Sequence, residues 1–361
     1  MIEEQQRAAL ALQTQQQVIF DSMVEGLLLL DERGRIQLAN RAFARLFDLA
    51  ADPRGRTIIE ALRLHELAAL VASLDSQKQV SGFELKLPGL NERWLQINAA
   101  AIFNGQAHRQ GTVLVFHDLT RLKQLESARK EFVANVSHEL RTPLSLIKGY
   151  VETLLDGACR DPEVATKFLR TIDRNAERLR LLIEDLLAIS ELESGRVKLN
   201  VQTVALAPVV AKVLEDFKGR AAVKGVRLVN QAAPDLAVRA DLDRLEQVLG
   251  NLVDNAIKYG RSDGTVTAGG RALDGGQIEV SVQDDGPGIP PEALERIFER
   301  FYRVDKARSR EQGGTGLGLA IVKHLVQSHG GRVWATSEPG RGATFCFVLP
   351  GDSGASHPPP A

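Results

Sequence analysis

Hydrophobic and polar positions follow three different rhythms along this chain. Up to about residue 119, short apolar runs alternate at a spacing of two, as in Phe83, Leu85 and Leu87, which is the period of a half-buried strand. Between about 120 and 195, apolar residues recur mostly every three, four or seven positions, which predicts long helices. From there to about 350, strand-like and helix-like segments alternate. The pattern therefore predicts a multidomain α+β protein.

The first rhythm predicts a small α+β domain over residues 21–119. Gly26–Leu30 is a predicted strand, a turn at 31–34 reverses the chain, and Asn40 is the predicted N-cap of a short helix. Three further strands carry the later period-two segments. A helix over 1–20, rich in Gln, Ala and Leu, is predicted to lead into this domain.

The second rhythm predicts a helical hairpin over residues 120–195. Its two helices flank a break at which Asp161 is the predicted cap and Pro162 the first helical residue. A lone hairpin buries little apolar surface, so we expect two copies to pair as a four-helix bundle. The inner face of the first helix is predicted to carry four apolar side chains: Phe132, Val136, Leu140 and Leu144. His138 then lies toward the outside.

Composition excludes several classes of protein. Of the 361 residues, 44% are hydrophobic and 25% charged, with a formal net charge of −1, so no basic surface for nucleic acid is indicated. The two cysteines, Cys159 and Cys346, are far apart and favour unpaired thiols in a reducing compartment. No apolar run approaches a membrane span, and the N-terminus does not resemble a signal peptide. We therefore expect a cytoplasmic chain, tethered to the inner membrane if an anchor precedes it, and a disordered tail over 351–361.

The segment around His138 carries the most specific chemistry. An imidazole is substantially neutral at cellular pH, so one ring nitrogen has a lone pair that can act as a nucleophile. Glu139 can accept the proton of the other ring nitrogen, and Thr142 lies one turn beyond on the same helical face. Pro143 removes a backbone donor just past the histidine and is expected to weaken or bend the helix there.

Residues Ser137–Leu144 resemble the H-box of sensor histidine kinases of two-component systems, similar to the phosphate-regulon type. The resemblance implies that His138 is the phosphoacceptor and Glu139 its general base and orienting group. It also implies that Thr142 supports removal of the phosphoryl group from a partner protein. The sequences "NRAFARLF" and "FHDLTRLKQLE" resemble the opening and the exit of a PAS domain.

Four later segments resemble the nucleotide-binding boxes of the same family, in the required order: "DRLEQVLGNLVDNAIKYG", "DDGPGIP", "IFERFYRVD" and "GGTGLGLAIV". The resemblance implies ATP and Mg²⁺ as cofactors, with Asn255 on the metal, Asp284 on adenine and Arg303 facing the terminal phosphate. The nucleotide-binding residues implied in this way are Asn251, Asn255, Lys258, Tyr259, Asp284, Gly286, Gly288, Ile289, Tyr302, Gly314, Thr315, Gly316, Leu317, Gly318 and Thr344.

The resemblance implies three domains: a PAS-like sensor domain over 21–119, a dimerising phosphotransfer hairpin over 120–195, and a Bergerat-type α/β sandwich over 196–350. It implies a protein-histidine kinase that acts as a homodimer. This kinase passes its phosphoryl group to an aspartate in the receiver domain of a separate response regulator, and it also acts as a phosphatase of that regulator. No binding of nucleic acid is expected.

Two alternatives remain from the residues alone. The same ATP-binding fold serves ATPases of the gyrase and Hsp90-like group, in which a glutamate often stands four residues before the metal-binding asparagine. Here that position is Asn251, which cannot accept a proton from water. A degenerate kinase that only docks a partner is disfavoured by the intact motifs.

In the PAS-like domain His65, His108 and His117 are potential haem ligands, although ordinary surface or core roles are favoured.

Overall fold

The structure, a computed structural model, describes residues 15, 18–87, 92–105, 108–193, 199–305 and 314–351. The chain divides into two compact units, Met1–Glu131 and Phe132–Ala361. Over the described ranges, no helix combines the length and the apolar character that crossing a membrane requires. The helix predicted over 1–20 and the tail predicted over 351–361 fall largely outside the described residues. Gly351, however, forms a β-bridge with Val238 and so belongs to the folded domain, which corrects the predicted start of the tail.

The first unit is a five-stranded antiparallel sheet with three short helices. Its strands lie in the order β2-β1-β5-β4-β3, so the first hairpin and the last three strands form one sheet. In chain order the elements are β1 (Gly26–Asp31), β2 (Ile36–Ala39), α1 (Arg41–Leu46), α2 (Ile58–Leu62), α3 (His65–Ser73), β3 (Gln79–Leu87), β4 (Arg93–Phe103) and β5 (Arg109–Asp118). The hairpin, short helix and three strands predicted from the sequence are confirmed.

Asn40 joins the first hairpin to the first helix of this unit. Its side-chain oxygen accepts hydrogen bonds from the backbone N–H groups of Phe43 and Leu27, both at 2.9 Å. Its amide nitrogen donates to the carbonyl oxygens of Phe20 and Glu25. A buried asparagine therefore satisfies an orphan donor at the helix N-terminus and fixes the strand beside it. The predicted N-cap is confirmed.

The long helix that leaves the first unit is tied to the sheet at its first turn. The helix α4 (Thr120–Leu155) begins directly after β5. Thr120 Oγ1 accepts from the backbone N–H of Trp94 at 3.0 Å, and the Lys123 ammonium donates to both carboxylate oxygens of Glu84 at 2.9 Å. The same ammonium lies 5.5 Å from the Trp94 ring centroid. The start of α4 is thus fixed by side chains from β3 and β4.

In the second unit, α4 continues from Phe132 and is followed by α5 (Pro162–Glu193), with a single 3₁₀ turn at Ala158–Arg160 between the two helices. Asp161 Oδ1 accepts from the backbone N–H groups of Glu163 and Val164, so it caps α5 as predicted. Pro143 lies inside α4, which runs through it without interruption.

One position of the inner face predicted for α4 is exposed in the single chain. Pro143 is buried, whereas Leu144 is 58% exposed. One chain supplies only two of the helices that a bundle core needs, so part of the apolar surface has no neighbour within the chain. The exposed apolar side chains on these two helices include Val133, Leu144, Val151, Leu155, Leu169, Ile183 and Leu187.

The rest of the second unit is an α/β sandwich, as predicted. Its main sheet has the strand order β11-β12-β10-β9-β7, antiparallel except for the parallel pair β7 and β9. Its elements are β6 (Gln202–Ala205), α6 (Leu206–Asp216), α7 (Lys218–Val223), β7 (Arg227–Ala232), β8 (Ala237–Ala240), α8 (Leu242–Tyr259), β9 (Thr265–Leu273), β10 (Gln277–Asp284), α9 (Gly318–Ser328), β11 (Arg332–Glu338) and β12 (Gly342–Pro350). A separate two-stranded sheet pairs β6 with β8.

The helix α8 covers this sheet with a continuous apolar stripe. Leu245, Leu249 and Leu252 are almost completely buried, together with residues of α9 such as Ile321. Burial at positions three and four apart leaves the polar residues of α8 on its other face. That face carries the asparagines and the lysine that the sequence assigned to the nucleotide.

Candidate functional site

His138 lies on α4 with an exposed side chain, as the sequence predicted. Thr142, also exposed, is one turn further along the helix, and its hydroxyl donates to the carbonyl oxygen of His138 at 3.1 Å. A hydroxyl of this kind can rotate to a new partner, because its hydrogen bond to the preceding turn is local. His138 and Thr142 therefore share one accessible face of the helix.

Glu139 is held by two arginines. Its Oε2 atom accepts from Arg178 Nη2 on α5 at 2.9 Å and from Arg303 Nη2 at 3.1 Å. The three side chains are largely buried, with exposed fractions of 16%, 18% and 6% for Glu139, Arg178 and Arg303. The sequence predicted that this carboxylate orients His138. In the structure it forms an ion pair with Arg303, which was predicted to face the terminal phosphate.

Arg303 lies two residues after Phe301, whose backbone packs closely against that of Gly316. The N–H of Phe301 donates to the carbonyl oxygen of Gly316 at 2.8 Å, and Phe301 has a left-handed φ of 61°. A Cβ atom at Gly316 would lie 3.0 Å from Phe301 Cα and 3.2 Å from Arg303 Nε, so only glycine fits without displacement. Arg303 Nε is buried with no hydrogen-bond partner among the described residues. A guanidinium with a donor to spare suits a group that binds an oxyanion.

The polar face of α8 lies against the N-terminus of α9. The position of a Cβ atom at Gly318 would be 3.6 Å from Asn251 Oδ1, which places this asparagine beside the first turn of α9. Lys258, predicted to face the phosphates, forms a salt bridge with Asp254 at 2.6 Å. Asn255 and Tyr259 are half-buried on the same helix. The N-terminus of α9 thus lies beside the amide group of Asn251, and a helix N-terminus is suited to phosphate.

Asp284, the predicted adenine reader, is a buried carboxylate at the end of β10, with 7% of its surface exposed. Its Oδ1 atom accepts from the backbone N–H of Gly286 at 2.8 Å. Burial raises the pKa of Asp284, against the hydrogen bonds from Gly286 and Ala343 that lower it. A Cβ atom at Gly286 would lie 2.8 Å from Asp284 Oδ1 and 2.9 Å from the carbonyl oxygen of Tyr259. Glycine is therefore required where the end of α8 meets this turn.

Four further predicted nucleotide-binding residues lie in the segment that follows β10 and in β12. Gly288 has a φ of 78°, and a Cβ atom there would lie 2.5 Å from the carbonyl oxygen of Glu338. The N–H of Ile289 donates to Ser337 Oγ at 2.8 Å, which fixes the segment after the glycine. Thr344 on β12 pairs with Gln283, the residue before Asp284. The Arg296 guanidinium lies over the ring of Tyr302, 4.5 Å from the ring centroid.

The glycine-rich segment that opens α9 contacts the helical hairpin. Thr315 Oγ1 donates to Asp185 Oδ2 on α5 at 2.7 Å and accepts from the N–H of Leu317 at 3.2 Å. Burial raises the pKa of Asp185, and the hydrogen bond from Thr315 opposes that shift. Leu317 is fully buried and Gly314 is also buried. Gly313, at the start of the predicted motif, lies outside the described residues.

The residues present fit Mg²⁺ only together with a phosphate ligand. Over the described ranges, no group of three or more His, Cys, Asp or Glu side chains is placed to hold a metal ion. Mg²⁺ commonly takes one or two protein oxygen ligands, several waters and substrate phosphates. The amide oxygen of Asn255, one turn along α8 from Asn251, meets that requirement for a protein ligand.

Sequence reasoning missed two residues that the structure brings to this site. Arg178 and Asp185 both lie on α5 and both contact predicted site residues, Glu139 and Thr315. They are seven residues apart and so lie near one face of the helix. Charged residues with that spacing also occur on ordinary solvated faces, so the sequence alone did not distinguish them.

Comparisons with protein families match all three regions of the chain. Residues 14–119 match the PAS fold, and residues 128–195 match the His Kinase A (phospho-acceptor) domain. Residues 240–353 match the family of histidine kinase-, DNA gyrase B- and HSP90-like ATPases. The order of the three families agrees with the order predicted from the motifs.

Curated relatives carry the name WalK. A sensor histidine kinase WalK of Bacillus subtilis strain 168 is 39% identical over 260 residues, which is 71% of this chain and 42% of that protein. A sensor protein kinase WalK of Staphylococcus aureus is 34% identical over 335 residues, 92% of this chain and 80% of that protein. The WalK of Staphylococcus aureus strain Newman has the same identity, but the chain covers 54% of it. The chain spans about half the length of most curated relatives that it matches.

Two solved structures resemble the whole chain or most of it. The crystal structure of histidine kinase ThkA in complex with the response regulator protein TrrA has a TM-score of 0.51 and 26% sequence identity, over 90% of this chain and 95% of that chain. The Acinetobacter baumannii histidine kinase AdeS has a TM-score of 0.50 and 26% identity, over 60% of this chain and 98% of that chain.

Proposed function

This chain belongs to the sensor histidine kinases of two-component systems, and we propose that it uses ATP to phosphorylate its own His138. The relatives that establish the family are WalK proteins, and the likeness to the phosphate-regulon type stays a prediction. The observation that carries the proposal is the contact between Glu139, next to His138, and Arg303 of the nucleotide-binding domain. This contact supports the proposal because it joins a residue next to the proposed phosphoacceptor to a residue proposed to bind the terminal phosphate.

The nucleotide would be held between α8, the turn after β10 and the N-terminus of α9. Asp284 would accept a hydrogen bond from the adenine amino group, because a carboxylate is an acceptor when ionised. The backbone N–H groups freed at Gly316 and Gly318 would bind phosphate oxygens at the helix N-terminus. Asn255 would hold Mg²⁺, which when bound neutralises charge on the phosphates.

In the proposed step, a ring nitrogen of His138 forms a bond to the γ-phosphorus, and the bond from that phosphorus to the bridging oxygen breaks, which releases ADP. The imidazole becomes positively charged as the new bond forms, and Glu139 accepts the proton from its second nitrogen. Arg303 offsets negative charge on the phosphoryl oxygens. Both side chains must therefore exchange partners, since each is bound to the other in the structure.

Arg178 lowers the electrostatic cost of separating Glu139 from Arg303. If Arg303 moves to the phosphate, Glu139 keeps its 2.9 Å contact with Arg178 and is not left as a lone buried charge. A carboxylate paired with one arginine is also freer to turn toward the imidazole than one paired with two. This chain therefore contains a residue that can hold Glu139 throughout the cycle.

The second proposed step passes the phosphoryl group to an aspartate of a response regulator. The ThkA structure contains such a regulator, which supports a partner of this class. Thr142, exposed beside His138, would position a water molecule against the acyl phosphate of a docked regulator and so support phosphatase activity. We place these activities in the cytoplasm, where ATP is available.

The functional unit is proposed to be a homodimer. The exposed residues Leu144, Val151 and Leu155 of α4 lie seven and four positions apart, and Ile183 and Leu187 of α5 lie four apart. Such spacing forms a continuous apolar stripe along each helix. Pairing of two hairpins would bury both stripes and complete a four-helix bundle.

The proposal is tested by labelling with γ-labelled ATP. The wild-type chain is expected to acquire base-stable, acid-labile label, and the variant His138→Gln is expected to lose it while binding ADP normally. His65→Gln, which changes another exposed histidine, serves as the matched control and should label like the wild type. Steady release of inorganic phosphate by the wild type, without label on the protein, would instead assign the chain to the ATPase group.

A further inference from the structure

Lys224 binds the end of the helix that carries the proposed nucleotide residues. It follows α7, and its ammonium donates to the carbonyl oxygens of Ile257, Lys258 and Gly260 at 2.7, 2.8 and 2.8 Å. Ile257 and Lys258 belong to the last turn of α8, and Gly260 directly follows its last residue, Tyr259. A lysine that is 33 to 36 residues distant in sequence therefore caps this helix.

The cap satisfies both the geometry and the charge of the helix end. The last carbonyl groups of an α-helix have no partner within the helix, and together they carry the negative end of its dipole. An ammonium group has three donors arranged around one positive charge. Three converging carbonyl oxygens at hydrogen-bond distance match that arrangement, and bonds to a charged group are stronger than neutral ones.

The backbone of Lys224 is itself fixed. The N–H of Asp263 donates to the Lys224 carbonyl oxygen at 3.0 Å, and the Lys224 N–H donates to Ala221 at 3.1 Å. The next residue, Gly225, has a left-handed φ of 72°, and a Cβ atom there would lie 2.1 Å from Asp263 Oδ1. Only glycine allows this close approach, so the position of Lys224 relative to α8 is set by the fold.

The capped end of α8 touches the turn that holds Asp284. Gly260 follows Tyr259, and a Cβ atom at Gly260 would lie 3.8 Å from Asp284 Cβ. On the other side, Gly286 leaves just enough space for the Tyr259 carbonyl oxygen. Burial raises the pKa of Asp284, and the positive charge of Lys224 opposes that shift. A shift of the last turn of α8 would therefore move Lys258, Tyr259 and the Asp284 turn together.

We propose that Lys224 is a positioning residue for the adenine nucleotide: it fixes the C-terminal turn of α8 against the Asp284 turn. Lys224 is not proposed to touch the nucleotide. This inference rests on the proposed function, because it assigns Lys224 to the same nucleotide site. Lys224 lies outside the four segments that resemble nucleotide-binding boxes. It would act through its hydrogen bonds to three backbone carbonyl groups.

The test compares Lys224→Met with a matched lysine variant in the full chain. Lys212 on α6 also binds α8, through the Glu246 carboxylate at 2.7 Å, but it does so near the other end of the helix. Binding of MgADP is measured by calorimetry, and autophosphorylation is measured as a function of ATP concentration. We expect Lys224→Met to raise the Kd for MgADP and the KM for ATP by about tenfold or more, with the rate at saturating ATP nearly unchanged. Lys212→Met should stay within about twofold of the wild type.

A merely structural role gives a different result. Loss of folded protein would lower the rate at saturating ATP and leave KM unchanged, and that outcome overturns the inference. Lys224→Arg keeps the positive charge and is expected to recover part of the affinity. If neither variant folds well enough to bind nucleotide at reduced temperature, Lys224 serves stability alone and the inference is wrong. If the wild type itself does not bind MgADP, the proposed function fails and not only the role of Lys224.

Discussion

The carboxylate of Glu139 and the guanidinium of Arg303 form an ion pair at 3.1 Å across 164 residues of sequence. Both side chains are largely buried, and Arg178 contacts the same carboxylate oxygen. In the proposed reaction Glu139 accepts a proton and Arg303 binds the phosphoryl group. The structure therefore shows the two proposed catalytic charges neutralised by each other, in an arrangement that must open before phosphoryl transfer.

Arg303→Met tests the proposed role of the guanidinium. Methionine retains the apolar stem, and Glu139 keeps Arg178, so the fold is expected to persist. Autophosphorylation should fall by about 10²–10³-fold, the cost typical of removing a group that stabilises developing charge. ADP lacks the terminal phosphate, so calorimetry should give a Kd for MgADP within about twofold of the wild type. Arg341→Met, which changes an exposed arginine, is the control, and equal losses in the two variants would contradict the role of Arg303.

Thr142→Ala tests the phosphatase activity. Removing the hydroxyl should leave autophosphorylation of His138 unchanged, because the Thr142 hydroxyl donates to the carbonyl oxygen of His138, a local bond within the helix. Dephosphorylation of a labelled response regulator should slow by about tenfold or more if the hydroxyl positions water. The time course of label on the regulator measures this rate. Ser137→Ala is a close control, since Ser137 makes the same kind of bond to the preceding turn. A regulator that loses label at the wild-type rate would rule out Thr142.

Asp185→Asn tests the contact between the hairpin and the nucleotide-binding domain. Burial raises the pKa of Asp185 in the folded chain above its ordinary value of 3.8, which applies to the unfolded chain. Between the ordinary and the raised pKa, the folded chain therefore binds more protons than the unfolded chain. The free energy of unfolding should therefore decrease as pH rises through that range, and the cost of the ionised carboxylate should persist above it. Asparagine still accepts from Thr315 but does not ionise. Melting temperatures measured across this pH range should show that component in the wild type and not in the variant.

Leu187→Asp tests the proposed dimer. The side chain is 60% exposed in one chain, and pairing of two hairpins would bury it. An unpaired carboxylate in that interface costs about 3 kcal/mol or more, which weakens dimerisation by about a hundredfold. Sedimentation should then find a monomer where the wild type is a dimer. Val223→Asp, at a site that is 91% exposed on α7, should not change the association. A monomeric wild type would contradict the proposed bundle directly.

Local features of this protein were predictable from short stretches of sequence. Asn40 caps a helix through a hydrogen bond to a residue three positions away, and Asp161 caps α5 over the same short distance. Strand and helix periods follow from which side chains are buried, and burial repeats every two or every three to four residues. Leu144, predicted for the inner face of α4 but exposed in the single chain, depends on a neighbour that one chain does not supply.

What the amino-acid sequence determined by itself was the order of the three domains and the candidate residues on each, because local hydrogen bonds and periodic burial are encoded within a few residues. Only the tertiary structure decided which charges meet. Glu139 pairs with Arg303, Thr315 bonds to Asp185, and Lys224 binds the end of α8, and each pair is separated by tens of residues or more in the sequence. A charged side chain on a helix looks the same in sequence whether it faces water or another domain, and only the packing of the elements brings its partner within hydrogen-bond distance.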